Sequence, residues 1–116
     1  MAPSQLKIKV SALNRLLKDE SLYHIELQEQ HQLISGLELK INDEAELNKE
    51  EMGYELKKQL QVLDETEKMI PQLRLKISEF TENLKTFIEE KESSSFNAIE
   101  LEEAKKVIEN AEKLIS

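Results

Sequence analysis

The chain has no cysteine, which removes disulfides and thiolate metal sites outright. Two glycines and two prolines in 116 residues leave few places to turn, so the chain holds a small number of long elements. Only 4% of the residues are aromatic; Leu and Ile supply the apolar content, which suits seams between helices better than a deep globular interior. No apolar run approaches the roughly 20 residues that span a bilayer. The N-terminal "MAPSQLKIKV" lacks the apolar core of a signal peptide. A cytoplasmic protein with no membrane partner is expected. There is also no Gly-rich phosphate loop, no serine elbow and no cysteine nucleophile, and carboxylates are too abundant for any one pair to signal acid–base chemistry. These absences predict a protein that is not an enzyme and carries no cofactor.

What the chain has is charge: 34% of residues are charged and the net charge is −8. Residues 1–41 are balanced, 42–92 carry −6 and 93–116 carry −2. An acidic surface repels phosphate backbones, so nucleic acid is excluded and a protein partner is expected. His24 and His31 lie seven residues apart, two turns along a helix. Zinc favours closer spacing and further ligands, so no metal site is expected.

The apolar pattern gives three helices, about 5–47, 54–92 and 97–115, in a single domain over 1–116. In the first, Leu13, Leu16, Glu20, Tyr23, Leu27, Gln30, Ile34, Leu37 and Ile41 follow alternating steps of three and four, with seven of nine positions apolar. Leu17 and Leu33 widen that stripe. Ser4 is placed to cap the helix, and Pro3 confines Ala2 to extended geometry. Gly36 interrupts the seam, and Leu37, Leu39 and Ile41 then alternate in a strand-like way, but the reading remains helix. Gly53, in "NKEEMGYE", is the expected terminator, with an earlier end near Asn42-Asp43 as the alternative. In the second helix the seam is Leu56, Gln59, Leu63, Thr66, Ile70, Leu73, Ile77, Phe80, Leu84 and Phe87, with eight of ten apolar. The serines of "KESSSFN" mark a turn, and Asn97 with Glu100 fits a capping box. The third helix lines up Leu101, Ala104, Ile108, Ala111 and Ile115, broadened by Val107 and Leu114. Small Ala104 and Ala111 allow close approach. The expected fold is all-α, an elongated antiparallel three-helix bundle with Leu63, Ile70, Ile77, Phe80, Leu84 and Leu101 buried.

Pro71 sits in the middle of the second helix, in "TEKMIPQLRLKI". It has no N–H for the carbonyl of Glu67, and its ring crowds that carbonyl. No Gly, Asn or Ser flanks it and the seam passes through in register, which predicts one helix kinked at Pro71. The kink either bends the helix around its bundle or shapes a surface for a partner.

Four stretches together resemble the tubulin-binding cofactor A family: "QLKIKVSALNRLLKDESLY", "GYELKKQLQVLDET" at Gly53–Thr66, "MIPQ" at Met69–Gln72, and "ELEEAKKVIENAEKLI". In order and approximate spacing they span nearly the whole chain. The stretch "ISGLELKINDEAELNKEE" carries none of these motifs. The resemblance implies a tubulin-folding cofactor of the cytoplasm, associated with the cytoskeleton. It implies binding to β-tubulin released from the cytosolic chaperonin and hand-over toward αβ heterodimer assembly, with other tubulin-folding cofactors as indirect partners. Tyr54, Lys57, Lys58, Met69 and Pro71 become candidate partner contacts. Read from the residues alone, Lys57 and Lys58 make an ordinary solvated face and Tyr54 a packing residue at the start of the helix. A structural coiled-coil or spectrin-like scaffold remains the alternative function. A prefoldin-like holdase needs strands between its helical arms, and no segment offers one. The protein is expected to be a monomer or a homodimer, with Leu39 and Val62 as candidate exposed residues for a dimer seam.

Overall fold

A computed structural model describes residues 3–116; Ala2, expected to be extended, lies outside the described residues. Among the described residues there is no strand. Helix α1 spans Gln5–Ile41, α2 spans Lys49–Glu89 and α3 spans Ala98–Ile115, with a 3-10 turn at Ser93–Ser95. The all-helical, three-helix expectation is met. Helix α2 runs unbroken through Pro71.

Ser4 and Asn97 cap the helices that the sequence assigns to them, but the capping box is only half formed, because the Glu100 carboxylate turns to Ser4 and not back to the Asn97 amide. The Ser4 hydroxyl accepts from the Lys7 amide at 3.1 Å, and Asn97 Oδ1 accepts from the amides of Ile99 and Glu100 at 2.9 and 3.3 Å. Glu100 accepts from the Ser4 hydroxyl at 2.7 Å, so the two caps are themselves linked. The first turn lies at 42–48, the earlier of the two expected places. Gly53 is not its terminator: it is helical, with no positive φ, inside α2. Polar side chains make the turn instead. Asp43 Oδ1 accepts from the Ala45 amide at 3.0 Å, and the Asn48 carbonyl accepts the first helical bond of α2, from the Met52 amide. Glu50 and Glu51 then supply negative charge at the positive end of the helix. Helix α2 ends at Glu89, a little before the expected 92, because the serine turn begins to close with the Ser95 amide donating to the Glu92 carbonyl.

Packing divides the chain into two compact units. The first comprises Met1–Glu20 and Gln72–Ser116. Here Lys9 meets Asn83 and Glu20 meets Arg74, so α1 and α2 are antiparallel. Ser4 meets Glu100 and Lys7 meets Glu103, so α3 is parallel to α1. This is an up-down-up bundle. Its core is Leu6, Val10, Leu13, Ile77, Leu84, Ala104, Val107 and Ala111. The two alanines are fully buried, as close approach of α3 requires. Ile77 and Leu84 are buried as expected, and Leu101 is half-buried. Phe80 is not buried: it is 42% exposed, and Thr81 takes the inward position. A seam that strictly alternates three and four drifts about 20° per heptad against a straight helix, and a second step of four corrects it. The buried Thr81 hydroxyl is satisfied by donating to the Ile77 carbonyl at 2.6 Å.

The second unit, Ser21–Pro71, contains parts of α1 and α2 only. Gln30, Ile34 and Thr66 are buried, and Leu63 and Ile70 are half-buried. Leu33, expected to widen the inward stripe, is exposed because this unit has no third helix for it to meet.

Candidate functional site

The five candidate contacts all lie on the part of α2 that belongs to the second unit. Tyr54 is 70% exposed and Met69 38%; Lys57, Lys58 and Pro71 are exposed as well. Tyr54 is therefore a surface residue, contrary to the packing role read from its place in the helix. The carboxylate of Glu55, next to Tyr54 in the chain, accepts from Gln59 Nε2 at 2.8 Å. Among the described residues the side chains of Lys57 and Lys58 form no ion pair or hydrogen bond, so the face is solvated, and Lys58 does not make the pair with Glu55 that its spacing invites.

Helical geometry sorts these five residues. At about 100° per residue, Tyr54, Lys58 and Met69 fall within roughly 60° of one another. Pro71 lies roughly 200° from Met69, on the far side of the helix. One face thus gathers an aromatic ring, a cation and a thioether, and the proline is not part of it. Met69 also lines a groove of about 460 Å³ with Tyr23, Glu26, Val62, Glu65, Thr66 and Lys68. Lys68 is held on Asp64 at 2.7 Å, and that hydrogen bond, together with the Asp64 charge, raises its pKa above the ordinary lysine range.

The first unit carries a second surface. Ile8 and Phe80, 53% and 42% exposed, line a groove of about 450 Å³ with Lys9, Ala12, Glu79 and Asn83. The sequence reading assigned Phe80 to the core and passed over Ile8, although "LKIKV" contains the signal. Residues two apart on a helix point roughly 200° apart, so inward-facing Leu6 and Val10 force Ile8 outward.

Among the described residues, no group of three or more His, Asp or Glu side chains is placed to hold a metal. His31 Nε2 stands 3.9 Å from Glu67, with both side chains more than half exposed, a surface pair with no third group. Among the described residues, no helix is long and apolar enough to cross a membrane.

Three helices that expose apolar and cationic side chains on shallow grooves define a helical binding module. The comparisons with known proteins make that more specific. The family model of tubulin binding cofactor A matches residues 1–108, and the chain belongs to that family. Tubulin-specific chaperone A of Saccharomyces cerevisiae is 36% identical over 115 residues, covering 99% of this chain and 97% of the relative. That alignment crosses the stretch after Tyr23 where no family motif was read. Tubulin-specific chaperone A of Dictyostelium discoideum is 35% identical over 85 residues, covering 73% of this chain and 68% of the relative. Among solved structures, RBL2P, a beta-tubulin binding post-chaperonin cofactor, superposes with a TM-score of 0.75 at 35% identity, covering 97% of this chain and 98% of the other.

Proposed function

We propose that this protein is a tubulin-folding cofactor that binds β-tubulin released from the cytosolic chaperonin and passes it toward αβ heterodimer assembly. The observation that carries this reading is the end-to-end likeness, in sequence and in fold, to a beta-tubulin binding post-chaperonin cofactor. The work is binding without catalysis, performed in the cytoplasm beside the cytoskeleton. The chain acts as one domain, a monomer or a homodimer, and meets other tubulin-folding cofactors through the client it hands over. Tyr54, Lys57, Lys58 and Met69 supply client contacts from α2, with Pro71 shaping that helix.

Immobilised protein should retain chaperonin-released β-tubulin and discriminate it from the folded heterodimer. Failure to retain β-tubulin in either form returns the chain to the scaffold alternative. GTP, ATP and zinc should leave the Tm unchanged. A ligand at a hundred times its Kd would stabilise the fold by about 2.7 kcal/mol, a shift readily visible in a chain of this size.

A further inference from the structure

The groove between α1 and α2 in the first unit is the counterpart of the one that α3 fills. Helix α3 brings small and aliphatic side chains, Ala104, Val107 and Ala111, into the core. It also brings carboxylates toward α1, with Glu103 on Lys7 and Glu100 on Ser4. The open groove offers similar chemistry. Its apolar floor is Ile8, Ala12 and Phe80. Lys9 Nζ crosses it to Asn83 Oδ1 at 2.8 Å. Among the described residues, Arg15, which lines the adjoining surface with Ile8 and Ala12, has no carboxylate partner, nor has Lys76, one turn before Phe80. Glu79 is the one carboxylate on the lining. In a chain of net charge −8, two uncommitted cations beside exposed apolar surface are complementary to an apolar segment that carries acid groups.

We propose that the groove floored by Ile8, Ala12 and Phe80 holds an amphipathic segment of the client, whose apolar side chains cover Phe80 and whose carboxylates meet Arg15 and Lys76. This rests on the reading of the protein as a β-tubulin cofactor and adds a second contact surface to it. Phe80 is the anchor because it is the aromatic ring that the core leaves out in favour of Thr81.

The test uses the full chain and chaperonin-released β-tubulin, with Tm measured for every variant. F80D and I8D should each lower capture on the order of tenfold or more. The charge reversal R15E/K76E should lower it less and reduce its sensitivity to salt. L75D, at an exposed apolar position on another face of α2, should capture like wild type. F80A, which only truncates the ring, serves if an aspartate variant fails to fold. Full capture by folded F80D, F80A and I8D overturns the groove while leaving the cofactor reading intact. So does a wild-type dimer that F80D converts to monomer with capture unchanged, because the groove's occupant is then a second copy. If wild type retains no β-tubulin, the functional reading fails and this proposal fails with it.

Discussion

Gln30 and Thr66 face each other across the α1–α2 seam, with Gln30 Nε2 donating to Thr66 Oγ1 at 3.1 Å, and both residues are buried. They are polar members of largely apolar seams. Thr66 is fully committed, since its hydroxyl also donates to the Val62 carbonyl at 3.0 Å. Gln30 is not: its Oε1 is buried without a partner. An unmade bond of that kind costs about 1–3 kcal/mol. Q30L should therefore stabilise the fold by about 1 kcal/mol, whereas T66V, which strands the rest of the amide, should destabilise it by about 1–3 kcal/mol. The double variant should be more stable than T66V alone. Urea unfolding of the four proteins checks this, and a Q30L protein weaker than wild type would refute it.

In the first unit, I77A and L84A should each cost about 2–5 kcal/mol, because both side chains are almost wholly buried in the three-helix core. F80A should cost only about 1 kcal/mol, since its ring is already partly in water. A loss at Phe80 as large as that at Ile77 would place the ring in the core after all.

This contrast shows what the sequence made legible. The inward faces of α1 and α2 were readable because apolar spacing encodes them: Leu13, Leu73, Ile77 and Leu84 are all buried where the seams place them. The Phe80–Thr81 exchange was not readable from strict alternation, because a single hydroxyl that bonds to its own helix can fill a core position. The first turn was mistaken for a glycine stop because Asp43 and Glu46 make it with side chains and ordinary backbone angles. The candidate contacts on α2 were found by motif and proved exposed, but motif adjacency put Pro71 beside Met69 when helical rotation separates them. Leu33 was given a third neighbour that the second unit does not contain.

Gly36 and Gly53 lie in regular helix, and a Cβ built at either meets nothing within 4 Å. Neither position needs a glycine for conformation or for space. G36A and G53A should each stabilise the protein by about 0.5–1 kcal/mol, through helix propensity and a less flexible unfolded chain. Denaturant midpoints that fall, or stay where they are, would show an unrecognised contact at these sites.

Lys85 ties α2 to α3. Its ammonium lies 3.3 Å from Glu112, and that hydrogen bond and charge, with Glu82 adding a smaller pull, raise its pKa above the ordinary 10.5. A raised folded-state pKa contributes stability that is complete below the unfolded value and is lost as pH climbs through the folded one. The Lys85 side chain is 38% exposed and that of Glu112 51%, so solvent screens the pair and the effect is modest. K85M should be slightly less stable than wild type at neutral pH, and the two should converge as pH climbs through the raised pKa of Lys85. A gap that persists there would assign the loss to packing of the lysine stem.

Pro71 lies inside α2, where it cannot donate to the Glu67 carbonyl, yet the helix continues on both sides of it. On propensity alone, P71A should stabilise a straight helix by up to about 3 kcal/mol. Because Pro71 is exposed, little packing depends on its ring, so a net gain in Tm is expected. The consequence for binding is independent of that gain. Our expectation is that the proline bends α2 and that the bend serves the client, so folded P71A should hold β-tubulin more weakly even as its Tm rises. Because the pyrrolidine faces away from Met69, such a loss could not be charged to a missing side-chain contact on that face; it would report on the path of the backbone. If P71A is folded, more stable and captures β-tubulin as well as wild type, the proline has no part in binding, and the proposed contacts on Tyr54, Lys58 and Met69 do not depend on it.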